Sequence, residues 1–280
     1  MSQSASNPVP VLYEVDGTTA WITLNRPEKL NALTREMYLE IGRLARIADE
    51  DPEVRVVVIR GNGRAFSSGY DLSEGRTSPP GDGLTRLMSR EEINGVRFTL
   101  WNLSKPVIAM VHGDCLGGAC DLALACDLIL ASEDASFGEP EIRFGGGSAF
   151  LIMPYLIGLR RAKELLFTGD RINAREAERI GLINHVVPHE QLEAQTKRLC
   201  DHLSRIPQAS LRLTKLGINR LYELQGFTEA IQQNAELMII NALSEAPERD
   251  QFQRAVTEGG LRSALTGTDW RAGLPNNDEE

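Results

Sequence analysis

No stretch of the chain approaches the roughly 18 consecutive apolar residues that a bilayer-spanning helix needs, so no membrane partner is expected. The first ten residues, MSQSASNPVP, lack both a basic start and an apolar run. They read as a mobile arm (1–10) rather than a secretory signal. Positive charge is in short supply: 30 Lys and Arg stand against 39 Asp and Glu, a net charge of −9. That balance argues against a nucleic-acid partner, because phosphate-backbone binding needs a clustered basic surface. It still permits a local basic pocket for an anionic small ligand. Cysteines number four, and Cys115, Cys120 and Cys126 follow one another at x4 and x5 spacings that match no common zinc pattern. With Cys200 they read as small core residues of a protein in a reducing compartment, the cytoplasm. The four histidines (His112, His185, His189, His202) are scattered, with no Ser/His/Asp set and no HExxH. No metal site is expected. Carboxylates and backbone dipoles remain as the chemical tools.

The 280 residues suffice for one large domain, or a domain with an appendage. Val11 to Leu24 alternates in the manner of a hairpin, with Asp16-Gly17 at its turn. Thr34 caps an expected helix reaching Glu50, whose apolar face carries Met37, Ile41, Leu44 and Ile47. Val56 to Ile59 is a continuous apolar run, as in a strand covered on both faces. Further strands are expected at Val107–Val111, introduced by Pro106, and at Leu128–Ala131. A helix from Ala174 to Ile180 starts on a capping box, Asn173 with Glu176, and stops at Gly181. Strand and helix thus alternate through an α/β core (11–207). Beyond Pro207 the pattern turns helical, with helices expected over 208–224, 227–245 and 247–265, giving a helical C-terminal region (208–270) and a flexible tail (271–280). Thr77–Gly83, with two prolines and two glycines, reads as a loop.

Four segments carry chemistry. Arg60-Gly-Asn-Gly-Arg-Ala-Phe-Ser-Ser-Gly-Tyr-Asp-Leu72 follows a strand; it is neither a P-loop nor a GxGxxG turn, yet it can expose backbone N–H groups. His112 to Asp127 places Gly117-Gly118 at the start of an apolar helix after a strand. Free N–H groups and the helix dipole there suit a developing negative charge, while close helix packing explains the glycines equally well. Ala135 to Gly147 brings Glu139 and Glu141 beside a glycine-rich turn. Ile22 to Leu33 sets Arg26 and Lys29 on a loop.

In this order the four segments resemble the crotonase (enoyl-CoA hydratase/isomerase) superfamily. Asn25-Arg26-Pro27 with Asn31-Ala32-Leu33 matches its N-R-P-x-x-x-N-A-L stretch, and Ala65 to Leu72 its A-F-C/S-A-G-x-D-L loop. Gly113 to Leu122 matches the glycine-rich helix start, and Phe137 to Glu141 the F-x-x-P-E strand. Leu166 to Ile172, then Ala177 and Gly181-Leu182, continue the likeness, which spans roughly Leu12 to Leu265. The resemblance implies a spiral of ββα units with packed sheets, and a helical C-terminal region that builds a homotrimer or a dimer of trimers. It implies an acyl-CoA substrate in fatty acid metabolism, with coenzyme A as part of that substrate and no other cofactor.

On the same resemblance, the thioester oxygen would sit between the N–H groups of Ser68 and Gly118, an oxyanion hole for enolate charge. Asp121 and Glu141 occupy the positions of the family's two acid–base glutamates. The CoA arm would lie along Ser68, Gly69, Tyr70 and Asp71, with Arg26 and Lys29 toward its phosphates. Two departures stand out. Aspartate at position 121 withdraws the carboxylate by about 1.5 Å, and a misplacement near 1 Å can cost about 10²-fold in rate. Gly145-Gly146-Gly147-Ser148 replaces the usual P-G-x-G-G, in a stretch about three residues short. Hydration of an enoyl-CoA, or its reversal, is the reading with both acids active. Double-bond isomerisation or CoA-ester hydrolysis would lean on Glu141, and a weakly catalytic CoA-ester-binding protein is the alternative outside enzymology.

Overall fold

The computed structural model describes residues 9–72 and 83–267. The expected arm up to residue 8, most of the loop from Thr77 and the C-terminal tail lie outside them. Val11–Asp16 (β1) and Thr19–Leu24 (β2) pair antiparallel across a turn at Gly17, whose φ of 60° suits glycine. β2 then pairs parallel with Val56–Gly61 (β3), β3 with Val107–Val111 (β4), β4 with Leu128–Ser132 (β6), and β6 with His185–Val187 (β9). A second sheet joins Asp114–Leu116 (β5), Ser136–Gly138 (β7) and Ile172–Asn173 (β8).

The continuous apolar run of β3 has its cause in coverage on both faces. Val57 and Ile59 enter the main core, while Val56 and Val58 face a smaller cluster with Trp21, Ile108 and Leu192. Arg35–Glu50 (α1) starts where Thr34 accepts a hydrogen bond from the Met37 N–H, and buries Met37, Tyr38, Ile41 and Leu44 in the main core. Gly83–Asn102 (α2) packs against α1, and Gly118–Leu124 (α3) is buried throughout. Met153–Thr168 (α4) is interrupted at Gly158; Ala174–Arg179 (α5) begins on the Asn173 cap; Leu192–Ser204 (α6) covers the smaller cluster.

Gln208–Leu224 (α7), Phe227–Leu243 (α8) and Pro247–Gly267 (α9, interrupted at Gly260) form the helical C-terminal region. The architecture is the expected α/β core with crossover connections and a helical end. All four cysteines are buried and unpaired. Among the described residues no helix is long and apolar enough to cross a membrane.

Candidate active site

The site forms where the second sheet meets the start of α3. An isolated parallel bridge joins Ser67 to Cys115 in β5, and another joins Tyr70 to Leu33. These two bridges decide where each amide of the 67–71 loop points. Ser67 N–H donates to the Asp114 carbonyl at 2.9 Å, and Ser68 N–H to the Leu30 carbonyl at 2.9 Å. Gly69 N–H turns to Ser67 Oγ at 3.2 Å, and Asp71 N–H to the Leu33 carbonyl at 3.0 Å. Ser68 is therefore corrected as an oxyanion donor, because its hydrogen is already held by Leu30. Gly69 O and Asp71 N–H both face Leu33, so the intervening Tyr70 N–H faces the opposite side, toward β5 and α3. It has no acceptor among the described residues.

Gly118 supplies the matching donor. As the first residue of α3 its N–H has no partner within the helix, and none among the other described residues. The loop and the helix start are in close contact. A Cβ on Gly118 would lie 2.6 Å from the Tyr70 ring, and one on Gly69 would lie 2.7 Å from the Leu116 carbonyl. Tyr38 OH donates to the Gly118 carbonyl at 2.5 Å, which holds this helix start in place.

Three carboxyls gather at this point: the buried Asp121 on α3 and Glu139 after β7, and the half-buried Glu141 on the turn that follows, whose Oε2 is shut off from solvent. Glu141 reaches so close to the helix start that a Cβ on Gly117 would fall 1.9 Å from its Oε1. Burial pushes the Glu141 carboxyl up to about 7, with the Asp121 charge adding to the rise. Glu139, 2% exposed, is driven well above the usual carboxylate range by burial, then by Asp121 and Glu141. Asp121 is also raised by burial, but Arg97, Ser148 and the Phe150 amide pull it back. Its Oδ1 accepts from the Ser148 hydroxyl at 3.0 Å; its Oδ2 accepts from Phe150 N–H at 3.3 Å and lies 3.4 Å from Arg97.

Arg97 escaped the sequence reading. Its guanidinium is completely buried and donates to Asn94 Oδ1 at 2.7 Å, Tyr38 OH at 3.0 Å and Tyr70 OH at 2.7 Å. The usable signal was its place among Ile93, Val96 and Leu100, since a basic residue on an apolar helical stripe must find a buried partner. Asp121 lies in the first turn of α3, and the Glu141 carboxyl lies against Gly117 at the cap of the same helix. Of the basic loop residues, Arg26 is drawn inward to Asp71 at 2.9 Å and to the Ala32 carbonyl at 2.7 Å, so it braces the loop. Lys29 stays exposed.

Residues 14–257 match the enoyl-CoA hydratase/isomerase family. A probable mitochondrial enoyl-CoA hydratase of Dictyostelium discoideum is 36% identical over 220 residues, covering 75% of this chain and 76% of that protein. A crotonyl-CoA hydratase of Syntrophomonas wolfei is 36% identical over 218 residues, 75% of this chain and 81% of its own. Among solved structures, an enoyl-CoA hydratase/isomerase from Xanthobacter autotrophicus superposes with a TM-score of 0.90 at 38% identity, covering 95% of this chain and 99% of that one. Fold, site segments and relatives agree, and the chain belongs to the enoyl-CoA hydratase/isomerase family of the crotonase superfamily.

Proposed function

We propose that this protein adds water across the α,β double bond of an enoyl-CoA thioester, or removes it in reverse. The observation that carries the reading is the pair of uncommitted amides, Tyr70 and Gly118, on two touching segments beside the half-buried Glu141. Attack at the β-carbon pushes charge onto the thioester oxygen, and preorganised N–H donors there are worth about 2.7–4 kcal/mol each in a measured analogue. A carboxyl that titrates near neutral pH can both take and return a proton. Hydration changes no oxidation state, so these groups suffice and coenzyme A enters only with the substrate. Lys29 is the exposed cation for the CoA phosphates, with residues 68–71 along the rest of the arm. Assembly as a trimer, or a pair of trimers, through the helical C-terminal region belongs to the same proposal. So does a reducing compartment, the cytoplasm, which four unpaired cysteines suit.

The test is incubation with crotonyl-CoA and longer enoyl-CoA esters in H2¹⁸O, with mass spectrometry of the products. Hydration puts one ¹⁸O on the β-carbon. Isomerisation incorporates none, and hydrolysis places ¹⁸O in a free carboxylate; either result in place of the first would overturn the reading.

A further inference from the structure

We propose that Glu139 and Glu141 work as one proton-sharing pair, while Asp121 is the fixed counter-ion of Arg97 and takes no part in proton transfer. The inference deepens the hydration reading and rests on it for its substrate.

Charge balance leads to it. Arg97 is wholly buried and permanently charged, so a carboxylate must stay ionised beside it. Asp121 is the carboxylate within ion-pairing distance, at 3.4 Å, and both its oxygens have further donors in Ser148 and Phe150. Protonating Asp121 would strand the guanidinium, which disqualifies it as a shuttle. The other two acids are in the opposite condition. Both oxygens of Glu139 and Oε2 of Glu141 are buried with no donor among the described residues. The two residues flank Pro140 on one turn, and buried acceptors without donors need one proton between them. The remaining groups acting on the pair are Asp121 and Cys120 of α3 and Arg97 of α2. Of these only Arg97 favours ionisation, and Asp121 already holds it; the Glu141 backbone N–H adds one donor to that residue's own carboxyl.

A singly protonated pair is the form that hydration needs. Its ionised member takes a proton from water as the water oxygen bonds to the β-carbon and the π electrons move to the thioester oxygen. The protonated member then gives its proton to the α-carbon as the enolate collapses. One water is added, and the pair ends with one proton, as it began.

The experiment compares Glu139→Gln, Glu139→Asp, Glu141→Gln and Asp121→Asn with the wild type in crotonyl-CoA hydration from pH 5 to 10. The wild type should give a bell-shaped kcat profile. Glu139→Gln should lower kcat by about 10²-fold or more with KM little changed, and collapse the bell to a single limb. Glu139→Asp should restore the bell in part. Asp121→Asn should lower kcat yet keep both limbs. A Glu139→Gln protein with an unaltered profile, or loss of a limb in Asp121→Asn alone, would overturn the assignment.

A second measurement needs no turnover. Carboxyl ¹³C titration of glutamate-labelled, substrate-free wild type should show two glutamates changing together in two well-separated steps; independent single titrations would also overturn it. If the wild type hydrates no enoyl-CoA, the proposed function falls. This titration, with α-proton exchange of butyryl-CoA in D2O, still decides the pair.

Discussion

Arg97 sets the charge balance of the pocket, and its removal should be felt as stability before it is felt as rate. Arg97→Met keeps the side chain as far as the Nε position but leaves Asp121 buried without its ion pair. Breaking one side of a buried pair costs about 3–5 kcal/mol, whereas replacing both sides can be close to neutral. Urea unfolding should therefore show a loss of that order in Arg97→Met, and recovery of much of it in Arg97→Met/Asp121→Asn. Glu141 makes a separate, pH-dependent contribution. Unfolded, it ionises near 4.5; in the fold, burial holds it to about 7. Between those values the folded state keeps a proton that the unfolded state has lost, so stability is full below about 4.5 and drains as pH rises through 7. At 1.36 kcal/mol per unit this amounts to about 3 kcal/mol, and Glu139 acts in the same direction. The melting temperature should fall from pH 5 to 8, with a shallower slope in Glu141→Gln. A flat or rising curve in the wild type would contradict it.

At the level of elements, the helix start at α3 does more than present an amide. Gly117 caps it with φ 53° and ψ −129°, a conformation open to glycine, and the space a Cβ would take is filled by the Glu141 carboxyl. Gly117→Ala must move the acid or the helix start, and a 1 Å error can cost about 10²-fold in rate. A loss of that size in kcat, with the fold retained by circular dichroism, is expected; unchanged kcat would show that Glu141 has room to spare. The same element shows what the sequence disclosed. The β1–β2 hairpin, the Thr34 and Asn173 caps and the glycine start of α3 were legible because each is written in residues a few positions apart. α2 was not, since Asn94 and Arg97 break its apolar stripe, and both are buried only because Ala149, Tyr38 and Tyr70 meet them from distant segments. The strands of the second sheet, two or three residues long, carry too little pattern to be read. Choosing Tyr70 over Ser68 needed the bridge to Leu33, a partner 37 residues away that fixes which amides turn inward.

Across the whole molecule, the helical C-terminal region leaves apolar side chains in solvent. Along α7, Leu213, Leu216, Leu221 and Leu224 fall on one side of the helix, with Leu224 86% exposed and Leu213 65%. Leu237, Ile240 and Leu243 do the same on α8. Scattered exposed leucines need no explanation, but stripes on two successive helices suit the proposed assembly surface. A second copy of the chain is the proposed occupant. Two other features of the region are satisfied inside one chain: Lys215 reaches Asp127 at 2.7 Å, and Phe227 stacks on Trp101 with centroids 4.7 Å apart. Changes on the outer stripe should thus separate assembly from folding. Multi-angle light scattering at micromolar concentration should give three or six chains for the wild type. Leu213→Asp/Leu224→Asp should give a smaller particle with unchanged helical content, since neither side chain is part of the core. A wild type that runs as a stable monomer would sink the assembly proposal. A double variant that still runs as a trimer would move the interface to another surface.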